Sequence, residues 1–445
     1  MFAILKRRFL NSDFCQVFNF RTPESKGSSL LLIFTFLANL ANVFISGVFY
    51  TSFLVQNGID IVRVGVISFA TYLSWFVGLL SPKVLRKFKR RRALLLFNDI
   101  FYYSCIILAT TVMPNFVKDP DARTLWFIVF ILLGSMVNAL FGPGAMAWHI
   151  HFIPEENEKR NIYFSFQNLA GSMVSTVAAV VTAVVADSLT GGAGQETLIV
   201  TLRYAAFFLF VVGVILIYGL PKEWPYEYSS AEPKLRDVIR LPLQQKKFLC
   251  WCGVCFIWSF IANINSATWD YYLLDTVGMP YLMTLTSSIF CLIGNLFLLP
   301  FWRRMIARFG WHKMLCVCFL LEAVCETTYN FTTSTTLWWY VLVSVYCGLI
   351  FSGLNLTYAN IFYANLPEGD RDVYFLFWNL GGNVLAFFGA SFGTFFLSLF
   401  QKIEPITMFG LPFYGSQFLP WVRFVLTVLL ALYIWKITPY TTKED

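Results

Sequence analysis

Long apolar runs alternate along the chain with short polar or charged breaks, and the apolar runs are about twenty residues or longer. Twelve can be marked, at about 29–55, 61–81, 93–113, 124–147, 163–187, 198–220, 246–277, 281–302, 313–331, 336–362, 373–399 and 416–437. Each is long enough to cross a hydrocarbon core as a helix. None alternates polar and apolar residues over a stretch of about ten, as a barrel strand would. The pattern predicts an all-α polytopic membrane protein with twelve transmembrane helices, here segments 1 to 12.

A second periodicity lies on top of the first. RNIYFSFQNLAG, Arg160 to Gly171, returns 211 residues later as RDVYFLFWNLGG, Arg371 to Gly382, with seven of twelve positions identical. Leu202-Arg203-Tyr204 matches Val422-Arg423-Phe424 at an offset of 220, and the basic stretch Arg86–Arg92 aligns with Ala307–Lys313 at 221. Three matches in one order indicate a duplicated half. The predicted organisation is an arm (1–28), a six-helix bundle (29–220), a proline-rich charged linker (221–245), a second six-helix bundle (246–437) and a tail (438–445).

Composition agrees, with 58% of residues hydrophobic and only 13% charged. With the N-terminus inside, 27 of the 33 lysines and arginines fall on the cytoplasmic side, as the positive-inside rule requires. Both termini are therefore expected to be cytoplasmic and the chain to lie in the cell membrane. The net charge of +8 reports topology, and no folded basic domain is left to bind nucleic acid. The arm lacks the apolar core of a signal peptide, and its phenylalanines are placed to rest on membrane lipid. Nine of ten cysteines lie in or beside apolar segments and read as packing residues, so neither a metal nor a cofactor is expected.

Polar residues inside the membrane mark helix faces turned away from lipid. Segment 1 carries Asn39, Asn42, Ser46 and Tyr50 at helical spacing, and segment 7 carries Ser259, Asn263, Ser266 and Asp270. Three of these positions pair at the repeat offset of 220, Asn39 with Ser259, Ser46 with Ser266 and Tyr50 with Asp270. Asn138, Asn168, Asn295, Asn355, Asn379 and Asn383 add amides, and Trp269 and Trp378 add flat apolar faces. Such a set suits a small polar or polyhydroxylated solute. Each amide also has a plainer reading as a bond between helices. Asp270, on the stripe beside Trp269, is the expected proton-coupling carboxylate. Glu326 and Arg423 begin at similar depth and are expected to form a structural ion pair, and Asp99 is expected to receive the neighbouring basic loop. His149 and His151 are expected to be solvated.

Six plus six helices in parallel halves, with cytoplasmic termini and linker, resemble the major facilitator superfamily of secondary transporters. The loop between segments 8 and 9 is similar to the family's G-x-x-x-D-R-x-G-R-R at Arg308, Gly310 and Lys313, with Ala307 at the acidic position. The first copy is basic throughout. The loops PEENEKR (Pro154 to Arg160) and PEGDR (Pro367 to Arg371) are similar to the family's acidic-arginine signature. The resemblance implies a central cavity between the halves, faced by segments 1 and 7, and alternating access to it. It also implies a gate in which Glu155, Glu156 and Glu158 meet the cluster of Arg86, Arg90 and Arg91, while Glu368 and Asp370 meet Arg303, Arg304 and Arg308, with Arg160 and Arg371 of the same loops among the gate residues. Solvated pairs of this kind are worth about 0–1 kcal/mol each, which suits a latch that must open.

A monomeric, non-enzymatic transporter of a small-molecule solute is the preferred expectation. Efflux of amphiphilic compounds, a non-transporting receptor or scaffold, and a lipid-modifying membrane enzyme remain as alternatives. The sugar-porter PESPR and peptide-transporter ExxER patterns are missing, as are Walker-type and HExxH motifs, and the GxSxG match at Gly389–Gly393 lies inside an apolar run.

Overall fold

The computed structural model describes residues 20, 23–153, 157–189, 193–224, 235–364, 371–400, 403–408 and 411–441. Nearly all are helical. Among them, ten helices are long and apolar enough to cross a membrane, and an eleventh span forms if Thr286–Phe297 and Leu299–Phe309, bent by 68°, are taken together. The bend occurs where Pro300 enters the second helix and cannot donate to the first. The remaining segment is Trp311–Tyr329, a 19-residue helix carrying Glu322 and Glu326. Large apolar side chains such as Phe97, Val177, Phe208, Phe395 and Trp435 stand exposed. Outward apolar surface on this scale is what a lipid solvent calls for.

The chain divides into two compact units, residues Met1–Phe53 with Ser74–Ser230, and Leu54–Leu73 with Ala231–Asp445. In the first unit segment 1 (Pro23–Ile45) packs on segments 5 (Asn157–Ser188) and 6 (Ala193–Gly219), and segment 3 (from Arg92) packs on 4 (Pro120–His151) and 6. In the second unit segment 7 (from Lys246) packs on 11 (Arg371–Phe400) and 12 (Gly415–Thr441), and 9 packs on 10 (Leu337–Ala364) and 12. The two sets of pairs match through the repeat. Segment 2 (Ile61–Gly78) contributes its first part to the second unit, where Ile61 packs beside Ile264, Leu397 and Leu419.

One core of the first unit gathers Trp148, Phe152, Tyr218 and Leu30–Leu32, closed by Trp224 stacking on Trp148 at 4.4 Å. His149 and His151 belong to this aromatic cluster. His149 lies 5.3 Å from the Phe34 ring and is partly buried, against the expectation of a solvated imidazole, whereas His151 stays exposed while stacking on Trp224 at 3.6 Å. In the second unit the largest core joins Trp251, Val254, Phe319, Leu430 and Ile434 from segments 7, 9 and 12. Segments 7 and 11 approach to backbone contact, because a Cβ at Gly389 or Gly393 would overlap the carbonyl oxygens of Phe260 and Ile264. A short hairpin, Ile406–Met408 with Leu411–Phe413, joins segments 11 and 12 and had no counterpart in the apolar pattern.

Candidate functional site

Segments 1 and 7 are both interrupted, and at matching places. The first helix of segment 1 ends at Ile45 and resumes at Gly47, whose φ is 53°. Segment 7 ends its first helix at Asn263 and resumes at Ser266, then passes into a π-turn at Tyr272–Thr276. Ser-Gly pairs, and asparagines that compete for backbone partners, are ordinary causes of such breaks. The breaks lie about 220 residues apart. The two stripes read as single helical faces are therefore each divided, with Asn39 and Asn42 on one side of the break and Tyr50 on the other, and likewise Ser259 and Asn263 against Asp270.

Around the first break Asn42 and Ser46 are exposed, with the Ser46 hydroxyl donating to the Asn42 carbonyl at 2.6 Å. Asn39 is half-buried, its Nδ2 2.7 Å from where a Cβ on Gly171 would stand. Tyr50 lies beneath the Arg203 guanidinium, 5.7 Å from its ring centre. Gln167 donates to Thr35 at 3.2 Å, and Asn168 occupies the same helix with its side chain outside the described residues.

Around the second break Asn263 donates to the Ser259 carbonyl at 2.8 Å and accepts from the Tyr72 hydroxyl at 2.5 Å. Ser266 is exposed and Asp270 is partly buried. Trp269 packs edge-on against Tyr329, 5.9 Å away. Trp378 and Tyr358 hydrogen-bond with the Cys255 thiol, and Asn383 donates to the Asn379 carbonyl at 2.8 Å. Asn295 and Asn355 both aim their Nδ2 at Cys291, at 4.0 and 3.9 Å.

Asn138 stands apart from these groups. Its Oδ1 accepts from Asn98 at 3.2 Å, and Asn98 also donates to Asp99, whose second oxygen accepts from Tyr218 at 3.0 Å. Asp99 therefore turns to segment 6, not to the basic loop. That loop is fastened differently: the Arg92 guanidinium caps the Gly219 carbonyl at the end of segment 6, and the Arg92 backbone N–H donates to Glu223 at 3.1 Å.

Of the gate arginines, Arg90, Arg303, Arg304 and Arg308 are exposed, and Arg308 lies over the Phe309 ring at 5.2 Å. Arg86 is partly buried. Arg91 is only 3% exposed and donates to the Leu85 and Phe88 carbonyls, at 3.3 and 3.4 Å, bonds that cap its own loop. Glu155, Glu156, Glu368 and Asp370, and the side chains of Glu158, Arg160 and Arg371, lie outside the described residues.

Two arginines related by the repeat, Arg203 buried and Arg423 partly buried, have different partners. Arg423 reaches Glu326 at 2.6 Å and donates to Asn265 at 2.7 Å. Arg203, 1% exposed, donates to Thr110 and Thr111 at 2.7 Å each and to the Ile106 carbonyl at 3.2 Å, its guanidinium 4.0 Å over the Phe53 ring. The π-turn Ser104–Ala109 lies beside these contacts. Sequence reasoning had not singled out Asn265, Tyr72, Thr110 or Thr111. The match of Arg203 to Arg423 at offset 220 was the available signal for a second buried cation. Among the described residues, one set has the donors and proximity to hold a metal ion, Glu322 and Cys325 on segment 9 with Cys347 on segment 10.

The family model of the Major Facilitator Superfamily matches residues 31–390. The chain belongs to this superfamily. Solved structures similar to this superfamily member include a variant of the nucleoside transporter NupG, with TM-score 0.68 and 13% identity, covering 92% of this chain and 99% of that one. The D-xylose–proton symporter gives 0.64 at 14%, covering 93% and 97%, and a bacterial homologue of the iron transporter ferroportin gives 0.65 at 14%, covering 96% and 100%. At these identities the likeness is one of fold. No curated protein sequence matches the chain.

Proposed function

We propose that this superfamily member is a secondary transporter that carries a small polar solute across the cell membrane by alternating access between its two halves. The observation that carries the reading is the matched interruption of segments 1 and 7 at polar residues. A broken helix exposes backbone polarity at membrane depth, which is tolerated where it lines a hydrated path. Asn42, Ser46 and Ser266 are exposed there, with Ser259, Asn263 and Trp269 close in sequence. Amides and hydroxyls beside indole faces suit a polyhydroxylated solute, and a nucleoside transporter and a D-xylose–proton symporter share the fold. Asn39, Tyr50, Asn168, Asn355, Trp378, Asn379 and Asn383 complete the proposed solute contacts.

Asp270 takes up the coupling proton in this proposal. Its carboxylate lies on the interrupted segment with no salt-bridged cation among the described residues, so a proton is available to neutralise it. The exposed arginines close the cytoplasmic side against the acidic loops. Both termini are cytoplasmic, lipid is the surrounding partner, and the unit is a monomer with no catalytic residue and no bound cofactor.

A second reading, efflux of amphiphilic compounds, is favoured by an open groove of about 510 Å³ on the exposed, lipid-facing surface of the first unit, lined by Leu40, Phe44, Met173, Val174, Val177 and Thr182. Thermal-shift measurements on the purified protein separate the two. Sugars or nucleosides should raise the melting temperature under the first reading, and amphiphilic drugs under the second. For a solute so identified, Asp270→Asn should abolish uphill accumulation in proteoliposomes driven by a proton gradient while leaving exchange intact. Unchanged accumulation would remove Asp270 from the mechanism.

A further inference from the structure

Segment 9 presents Glu322 and Cys325 three residues apart, on one helical face, and segment 10 brings Cys347 against them. Cys347 Sγ lies 3.6 Å from Glu322 Oε2, and the three donor atoms all lie within 4.8 Å of one another. A tetrahedral ion with metal–sulfur bonds of about 2.3 Å and metal–oxygen bonds of about 2.0 Å holds its donors roughly 3.5–3.8 Å apart. The cluster is therefore within small side-chain movements of that geometry.

The surroundings are dry. Glu322, Cys325 and Cys347 are at most 2% exposed, enclosed by Leu321, Val343, Ile350 and Phe351. Other buried thiols of this bundle find neutral partners, as Cys316 does in the Ala431 carbonyl at 3.3 Å. Cys325 and Cys347 have neutral neighbours too, the Leu321 carbonyl 3.8 Å from Cys325 and the Tyr329 hydroxyl against Cys347, but they also face each other and a carboxylate. Charge balance fits a divalent ion. Glu326 hydrogen-bonds with Glu322 and pairs with Arg423 at 2.6 Å, so a cation already stands against this carboxylate pair. Two thiols that lose their protons add two negative charges, and a divalent cation restores neutrality.

We propose that Glu322, Cys325 and Cys347 form a binding site for one soft divalent cation of the zinc class. Binding breaks two S–H bonds, forms two metal–thiolate bonds and releases two protons to water. Thiolate donors select soft or borderline ions over magnesium or calcium. The site lies within one bundle and does not depend on what the transporter carries.

Full-length protein, purified in detergent and fully reduced, is titrated with cadmium chloride while the ultraviolet thiolate-to-cadmium charge-transfer band is recorded. The band should saturate at one ion per chain, with two protons released to an indicator dye, and zinc should compete for it. It should vanish in a Cys325→Ser, Cys347→Ser double variant, persist in Cys316→Ser, and need at least about tenfold more cadmium in Glu322→Gln. No saturable band in the wild-type protein would overturn the proposal without reference to any variant. A band unchanged in the double variant would overturn it equally.

Discussion

Glu326 and Arg423 bring opposite charges into the interior of one bundle, 3% and 15% exposed, and meet at 2.6 Å. Stranding either charge is costly, whereas replacing both with apolar groups is often neutral. Glu326→Gln should therefore lower stability by about 3–5 kcal/mol, and pairing Glu326→Leu with Arg423→Leu should recover most of that, read as melting temperatures in detergent. A double variant as unstable as the single one would deny that the pair is self-contained. Similar depth along segments 9 and 12 was enough to bring these two residues together in the sequence. The environment of Arg203 was not readable that way. The position matching Glu326 at the repeat offset is Ile106, whose backbone carbonyl accepts from Arg203, and a carbonyl acceptor has no signature in a sequence.

At the scale of elements, the contact between segments 7 and 11 depends on glycine. A Cβ at Gly393 would collide with the Ile264 carbonyl, whereas one at Gly382 would meet Ser259 Oγ at an ordinary 3.5 Å. Gly393→Ala should cost about 1–3 kcal/mol by forcing the helices apart, and Gly382→Ala much less. Equal melting temperatures for the two variants would contradict backbone contact. Helix existence was legible because runs of twenty apolar residues have one solution in lipid. Helix interruption was not. The polar stripes of segments 1 and 7 were read with an unbroken 3.6-residue period, and the Ser46-Gly47 and Asn263–Ser266 steps that divide them look locally like ordinary interior positions. The Glu322, Cys325 and Cys347 cluster escaped for a related reason, since its two thiols come from different segments and form no short spacing motif.

At the scale of the whole molecule, the duplication was the most informative feature of the sequence, because it fixed which helix pairs should correspond, and the same pairs pack in each unit. The duplication did not carry the buried charges with it. The described partners of Arg203 are two hydroxyls, a carbonyl and two aromatic faces, none of them anionic, so the first unit holds a full positive charge inside the membrane. A charge so placed feels the transmembrane voltage. Crossing the full field is worth about 2.3 kcal/mol per 100 mV, so each tenth of the field that Arg203 traverses during the cycle biases the conformational equilibrium by roughly 0.2 kcal/mol. Transport rates measured against imposed potassium-diffusion potentials should lose part of their voltage dependence in Arg203→Met, and an unaltered dependence would mean that Arg203 stays at fixed depth. In the proposed transport cycle, an arginine buried among neutral groups makes the membrane's electrical state one more input to the conformational equilibrium.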